Sequence, residues 1–527
     1  MRPESRFFSE MKPSIWPTSY DQIAYPGYPY PATHPDLLAA IGILSCMEPP
    51  AIRSCRVLEV GCGDGSNIIP MAITLPDAEF VGIDLAEKPI SQAQGIIDRT
   101  AITNISVKAM DLLKFTLDFG QFDYIIAHGF YSWVPTQLQE KLFRVCEQQL
   151  TPNGIAFISY NTYPAAYFRQ ACRDAMLFHL KTTGEPDDRV HQAKSVLELM
   201  VDSIEEKDTW KAVVRDELSR ISKRDDNVIY HDELNEIYSP AYFADFIACA
   251  GRYGLQFLGE ASLHETVPAP LRAELEQRLR QIVGDDLTAY HQYLDFIQFR
   301  GFRRTLLCRS AVSLRRDVQR ERLPTLFLAS PLRETSRKPD GKVTFKNQQG
   351  HGSVETDHSV MIAAIQRLAR IWPRAESFED LLQQVITRVP SEALADARST
   401  LMEVVLLLIS KTLVQCRTQD LPVPASVSNR PVASPLARLQ AESGTVLTTL
   451  MHTNIEIEDP RTLEFLRLLD GSHDRRALAA WLRTGSPGIS VDDMLKQVNN
   501  HLEEFRRLGL LVSDVNTKAE SFVTTGS

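Results

Sequence analysis

Three glycines and two acids carry the first chemical signal in this chain. Gly61, Gly63 and Gly65 alternate with Cys62 and Asp64, directly after an apolar run at 57–60 interrupted only by Glu59. Glycine accepts the backbone angles and the close approach that a sharp turn against a ligand demands. Asn67, Ile68, Ile69 and Met71 then predict a helix over 66–75. A strand, a glycine turn and a helix N-terminus together present free N–H groups to an anionic group. The next apolar run, 79–83, ends in Asp84. That acid stands roughly 20 residues beyond the glycines, where a nucleotide-binding α/β fold places the carboxylate that accepts from both ribose hydroxyls. The third glycine follows the second by two residues, closer than the dinucleotide fingerprint spaces it.

The elements that must position these residues alternate. Strands are predicted at 56–60, 79–83, 105–109, 122–127 and 154–160, with helices near 66–75, 87–98 and 136–149. That rhythm is an α/β, Rossmann-like parallel sheet. Ligands bind beyond the carboxyl ends of such strands. Asp111 after the third strand is a candidate for an adenine amino group. His128 follows the fourth, and Tyr160, Asn161 and Tyr163 end the fifth after a Thr-Pro-Asn-Gly turn at 151–154.

Around this core the pattern changes. Residues 13–50 are rich in Pro and Tyr, extended at first, then an amphipathic helix at 36–46. They read as an arm packed on the core or as a lid, with Tyr20 placed to donate to a ligand carboxylate. Helices at 168–180 and 187–222 break the alternation, so 166–235 is a helical insertion between core segments 1–165 and 236–312. The alternation resumes with a Pro-started helix at 239–250, a strand at 255–258, helix over 270–298 and a last strand at 304–309. After a polar linker at 330–341 come two similar segments, 343–416 and 445–513, joined by a Pro-rich stretch at 421–435. Each reads as strand, two helices, a long helix and a short strand, a duplicated winged-helix-like unit in mainly α domains at 320–420 and 432–515. In the last helix Met494, Val498, Leu502 and Phe505 mark a buried face. Asp492, Asp493, Glu503 and Glu504 outnumber Lys496, Arg506 and Arg507 there, which favours protein docking or structural support over a phosphate backbone.

Bulk properties narrow the function classes. The length of 527 residues suits three or four domains. A net charge of −10 argues against nucleic acid as the main partner and suits a cationic substrate. No apolar run reaches the ~18 residues of a membrane helix, and no apolar segment follows the charged start at 1–6. Eight scattered cysteines without Cys-x-x-Cys pairs point to reduced thiols, a cytoplasmic protein and no metal site.

Several motifs now come together: Thr33-His34-Pro35-Asp36, Glu59 with its glycine turn, the run 128–135, the run 159–164, His231-Asp232-Glu233-Leu234 and Gln292-Tyr293-Leu294-Asp295-Phe296. They resemble the bacterial class I methyltransferases that carry a methyltransferase regulatory domain, a group that includes rickettsial outer-membrane-protein lysine methyltransferases. The resemblance implies S-adenosylmethionine as cofactor, protein lysine side chains as acceptor and an insertion that forms a homodimer. It also implies a seventh strand, 303–309, antiparallel inside the first domain. Ala165 and Ala166 stand where relatives commonly carry Gly and an aromatic, so the acceptor pocket has its own shape. On this reading Gly61, Gly63, Gly65 and Asp84 hold the cofactor, with Glu59 near its amino group, Tyr20 near its carboxylate and Asp111 near adenine. The cofactor supplies the electrophile, and an acceptor amine needs a group that orients it and takes a proton. Candidates are Tyr163, Asn161, His128 and Asp232, with Tyr160 and Glu233 beside them. Each also has a plain structural role to play: His128 satisfying a carbonyl, Tyr163 packing, Asp232 and Glu233 solvated ahead of a helix. Two other functions fit the same residues, a small-molecule methyltransferase and a cofactor-sensing regulator.

Overall fold

The computed structural model describes residues 18–182, 186–204, 209–262, 264, 271–347, 352–391, 396–485 and 490–513. The charged start at 1–6 lies outside them. β1 (Arg56–Val60), β2 (Glu79–Asp84), β3 (Ile105–Ala109), β4 (Phe122–Ala127), β5 (Leu150–Asn161), β6 (Leu255–Glu260) and β7 (Phe302–Arg309) form one sheet in the order 3-2-1-4-5-7-6. β1 to β5 run parallel, and β7 runs antiparallel to both β5 and β6, as the resemblance implies. Val57, Leu58, Val60, Ile125 and Ile126 are all buried. Such mainly apolar strands need helices on both faces. Helices Ile68–Thr74, Glu87–Thr100 and Thr136–Gln149 supply the crossovers. The order reverses at β1, which lies between β2 and β4, and a crevice opens past the strand ends there.

The insertion helices Ala166–His179, Pro186–Asp202 and Thr209–Ser222 pack around an apolar cluster of their own, with Met176, Leu197, Leu218 and Ile221 inside. Each tail segment ends in a long helix, Ala397–Ser410 and Val491–Arg507. The second of these buries Met494, Val498, Leu502 and Phe505, as their spacing predicts. Among the described residues no helix is long and apolar enough to cross a membrane.

Several local expectations are corrected. The turn at 151–154 is instead the bulged start of β5: Leu150 already pairs with Phe122, and the register shifts before Tyr124 meets Ile155. The helix expected from 239 starts at Phe243, because the preceding residues are tied to the segments that follow β4 and end β5. Ser239 N–H donates to Ser132 O at 2.8 Å, Ala241 N–H to Asn161 O at 3.0 Å and Thr162 Oγ1 to Ala241 O at 2.7 Å. The helical stretch 270–298 is two helices, Ala273–Val283 and Leu287–Gln298, broken at Gly284 with φ +60°. Helix Pro35–Leu44 is not amphipathic: Leu38, Ala39, Ala40, Ile41 and Leu44 are all buried. The middle region covers its outer side, and buried Asp36 accepts from Thr418 N–H and Oγ1, both at 2.6 Å. The polar linker contains a strand, Leu332–Arg337, paired antiparallel with Val343–Asn347. The end of the Pro-rich stretch is docked too, with Ser434 N–H donating to Leu510 O at 2.8 Å.

Candidate active site

One cavity of about 1140 Å³ lies beyond the carboxyl ends of β1 to β5. Its first half is built by neighbours in sequence. Gly61, Gly63 and Gly65 have φ of +76°, +54° and +77°, left-handed values that favour glycine. Gly61 and Gly63 line the cavity, while Gly65 does not. A Cβ on Gly65 would meet Ile69 Cδ1 at 2.7 Å, so this glycine seats the following helix against the sheet. Asp84 Oδ2 accepts from Gly63 N–H and its Oδ1 from Ala86 N–H, both at 2.9 Å. Burial pushes its pKa up and these N–H groups pull it back. The carboxylate is thereby aimed, with lone pairs remaining for a diol. Asp111 also lines the cavity and caps a short turn, its Oδ1 accepting from Leu113 N–H at 2.9 Å.

Glu59 tests whether the residues suit a cationic ligand group. It is 3% exposed; Oε1 accepts from Asn67 Nδ2 at 2.6 Å, and Oε2 is buried without a partner among the described residues. Burial pushes its pKa up to about 8. A buried, half-satisfied carboxyl on a cavity wall is costly until a donor arrives, and an ammonium supplies one. Tyr20 stacks on His231 at 4.2 Å, and burial beside Asp232 and Asp84 keeps its hydroxyl protonated and able to donate to a carboxylate. The arm reaches across this half: Asp21 Oδ1 accepts from Lys88 N–H at 2.9 Å, and a Cβ on Gly27 would strike Asp64. These groups fit the expected S-adenosylmethionine at its diol, amino and carboxylate ends.

The second half is assembled from distant segments. Arg169 is its centre. The guanidinium donates to Glu233 Oε1 at 2.7 Å and Oε2 at 3.1 Å, to Asn161 Oδ1 at 3.1 Å and to Asp232 Oδ2 at 3.2 Å. Arg224 donates to Asp232 Oδ2 at 3.2 Å and Glu233 Oε1 at 3.0 Å. Burial alone would pull Arg169 down, but Glu233 and Asp232 more than offset it and hold the guanidinium charged. Burial pushes Asp232 up against the pull of Arg169. The expectation that Asp232 and Glu233 are solvated is corrected: Glu233 is fully buried, and Asp232, 18% exposed, is ion-paired. Trp133 and Tyr238 flank Arg169 at 5.1 and 5.6 Å, a cation–π arrangement. His128 packs at a tilt on Tyr30, ring centroids 3.8 Å apart, and burial, with Arg304 nearby, lowers its pKa to about 4, so the ring is neutral.

Tyr163 does not join this site. It is absent from the cavity wall, and its ring packs on Tyr167 at 4.3 Å and Tyr242 at 4.9 Å. Tyr160 is a core residue stacked on Phe246 at 4.1 Å. Sequence reasoning missed Asn67, Tyr30, Arg169 and Arg224 as site residues. The arginines look like ordinary charges of surface helices, and only the fold turns them inward. Part of the Gln292 to Phe296 motif is structural: Gln292 Oε1 accepts from Ala244 N–H at 3.1 Å and Asp295 holds the buried Arg303 at 2.8 Å.

Known proteins share this layout. Residues 53–216 match the family described as "Methyltransferase domain", 225–309 the "Predicted methyltransferase regulatory domain" and 429–486 the "PKMT, C-terminal winged helix domain". Two uncharacterized proteins of Rickettsia prowazekii are similar in sequence. One is 28% identical over 470 residues, 87% of this chain and 84% of that protein. The other is 36% identical over 241 residues, 46% of this chain and 96% of that protein. In structure the chain is similar to PKMT2 from Rickettsia typhi in complex with AdoHcy, with a TM-score of 0.82 at 27% identity, covering 93% of this chain and 100% of that one.

Proposed function

The chain belongs to the S-adenosylmethionine-dependent methyltransferases that carry a methyltransferase regulatory domain, and from that premise we propose that it methylates lysine side chains of a protein substrate. When bound, S-adenosylmethionine supplies an electrophilic methyl carbon. We assign Asp84 to the ribose diol, Asp111 to the adenine end, Glu59 to the amino group and Tyr20 to the carboxylate, with Gly61 and Gly63 giving backbone room and Gly65 seating the turn. Asn161 and Asp232 orient the acceptor amine, and Asp232 or neutral His128 takes its proton, directly or through water. Holding donor and acceptor in line is the larger part of the catalysis.

The observation that carries the reading is the size and lining of the cavity. About 1140 Å³ exceeds what a small ligand usually occupies. Its far end pairs a carboxylate with the aromatic walls Tyr25, Tyr30, Trp133 and Tyr238, which suits an alkylammonium. Similarity to PKMT2 from Rickettsia typhi, together with the resemblance to the rickettsial lysine methyltransferases, supports the same acceptor. The tail units at 320–420 and 432–515 serve substrate docking, the insertion at 166–235 pairs two copies, and the reaction takes place in the cytoplasm. The test is to incubate the purified protein and labelled S-adenosylmethionine with bacterial surface-protein extracts and map the label by mass spectrometry. Label is expected on lysine Nζ; label confined to the small-molecule fraction overturns the proposal.

A further inference from the structure

A residue of the C-terminal domain reaches the cofactor site. His452 lies in the turn between strands Val446–Thr448 and Asn454–Glu456, with φ +59° and 3% exposure. Its Nε2 stands 2.8 Å from Asn67 Oδ1. The amide orientation of Asn67 follows from its other partners. Tyr30 N–H can only donate, and it points at Oδ1 from 2.8 Å; Nδ2 donates to Glu59 Oε1 at 2.6 Å. Oδ1 is therefore an acceptor, and His452 meets it with Nε2–H. His34 packs edge-on to His452 at 5.5 Å and is held by Thr74 Oγ1 at 3.2 Å. The domain docks on the core through the helix Pro435–Gln440 against Glu87–Thr100 and through an ion pair of Arg99 with Glu442.

We propose that His452 is a positioning residue of the cofactor site: by fixing the Asn67 amide it holds Glu59 Oε1 and turns Glu59 Oε2 toward the amino group of the cofactor. The methionine end of the site is then complete only when the C-terminal domain is seated. Glu59 and Asp84 both lie on the cavity wall but receive different support. Asp84 is held by backbone N–H groups of its own fold; Glu59 is held by Asn67, whose amide Tyr30 N–H and the Thr33 hydroxyl meet from the arm side and His452 meets from 385 positions away. Loss of His452 must therefore weaken the amino-acid end of the ligand and spare the nucleoside end.

The inference rests on Glu59 meeting the amino group, and the experiment separates the two claims. Calorimetry on the full chain compares S-adenosylhomocysteine with 5′-methylthioadenosine, which keeps the nucleoside and lacks the amino acid. His452→Phe removes the donor at similar bulk. His452→Asn keeps a residue type that tolerates positive φ but is too short to reach. Both should weaken S-adenosylhomocysteine about tenfold, the size of one hydrogen bond to a charged network, with methylthioadenosine within about twofold. His452→Gln, whose amide N–H can stand where Nε2–H stood, should restore most of the loss. Unchanged S-adenosylhomocysteine affinity, an equal loss for both ligands, or no rescue by glutamine overturns the proposal. Glu59→Gln run in parallel shows which claim has failed: if it weakens S-adenosylhomocysteine while the His452 variants do not, only the role of His452 falls.

Discussion

The two halves of the cavity are built by opposite means. The cofactor half centres on one strand–turn–helix and the strand beside it, within 59–86, completed by Asp111 and by Tyr20 of the arm, and backbone N–H groups hold its diol-facing carboxylate. The acceptor half draws on 25–30, 128–133, 161–169, 224–238 and 299–302, and side chains hold side chains there. Exchanging side chains other than to proline leaves these backbone donors in place, so the nucleoside end of the first half should yield chiefly when Asp84 itself is lost. The second is a charge network in which every member depends on the others.

The sharpest way to break this contrast is Arg169→Met. Removing the largely enclosed Arg169 leaves Glu233 and Asp232, among the described residues, with Arg224 as their ion-pair partner, and breaking such a network costs about 3 kcal/mol or more. A lower urea midpoint and lost turnover are expected, while S-adenosylhomocysteine affinity changes by less than about threefold. Affinity falling in step with turnover would show that the halves are one unit. Asp84→Ala attacks the other side. It removes the diol acceptor and leaves Gly63 and Ala86 N–H without a partner, and charged hydrogen bonds of that kind are worth about 1.5–3 kcal/mol each. Calorimetry should show a loss of about a hundredfold or more for S-adenosylhomocysteine; a tenfold loss or less would mean that the backbone turn alone grips the nucleoside.

This difference in construction also governs what the sequence discloses. Glycine spacing, Glu59 and Asp84 are local, so their roles are legible in the chain itself. So are the strands, whose apolar runs are dictated by burial on both faces. Antiparallel β7 is reachable only through the resemblance, since nothing in 302–309 itself states direction. Asp232 looks solvated in the sequence because ion pairs with residues 63 positions distant leave no trace in composition. The helix expected at 239 starts late because Pro240 is a good helix starter in isolation, and tertiary bonding to Asn161 and Thr162 takes its neighbours instead. Helix Pro35–Leu44 loses its expected wet face to a middle region almost 400 positions away.

Glu59→Gln sharpens the comparison within the cofactor half. Buried and pushed up to about 8, Glu59 binds a proton in the folded protein at pH values where the unfolded chain, with an ordinary carboxyl, has released it. The folded state thus loses stability as pH rises from the ordinary glutamate range to about 8. Glutamine removes that liability. The ligand-free variant should melt a few degrees higher at pH 8, a gain of the order of 1 kcal/mol, yet bind S-adenosylhomocysteine about tenfold more weakly. Wild type should also release a proton on binding at pH 7, seen as a buffer-dependent enthalpy that the variant lacks. A variant no more stable at pH 8 than wild type would place Glu59 in a wetter setting than its burial implies.

The smallest effect is expected at Tyr163, and it tests where the acceptor half ends. Tyr163 follows Asn161 by two residues, and Asn161 faces the cavity while the Tyr163 ring packs among Tyr167 and Tyr242. Removing one hydroxyl from an aromatic cluster leaves the ring contacts in place, so the stability change stays within about 1.5 kcal/mol, the worth of a single neutral hydrogen bond. Tyr163→Phe should therefore turn over within about twofold of wild type, with unchanged S-adenosylhomocysteine affinity. Tyr167 and Tyr242 share a hydroxyl contact at 3.1 Å beside it, so Tyr163→Ala should cost stability through lost packing instead. A kcat that drops a hundredfold in the phenylalanine variant, at unchanged melting temperature, would mean that the hydroxyl swings into the cavity once a substrate is bound, and that the acceptor half is larger than its resting walls.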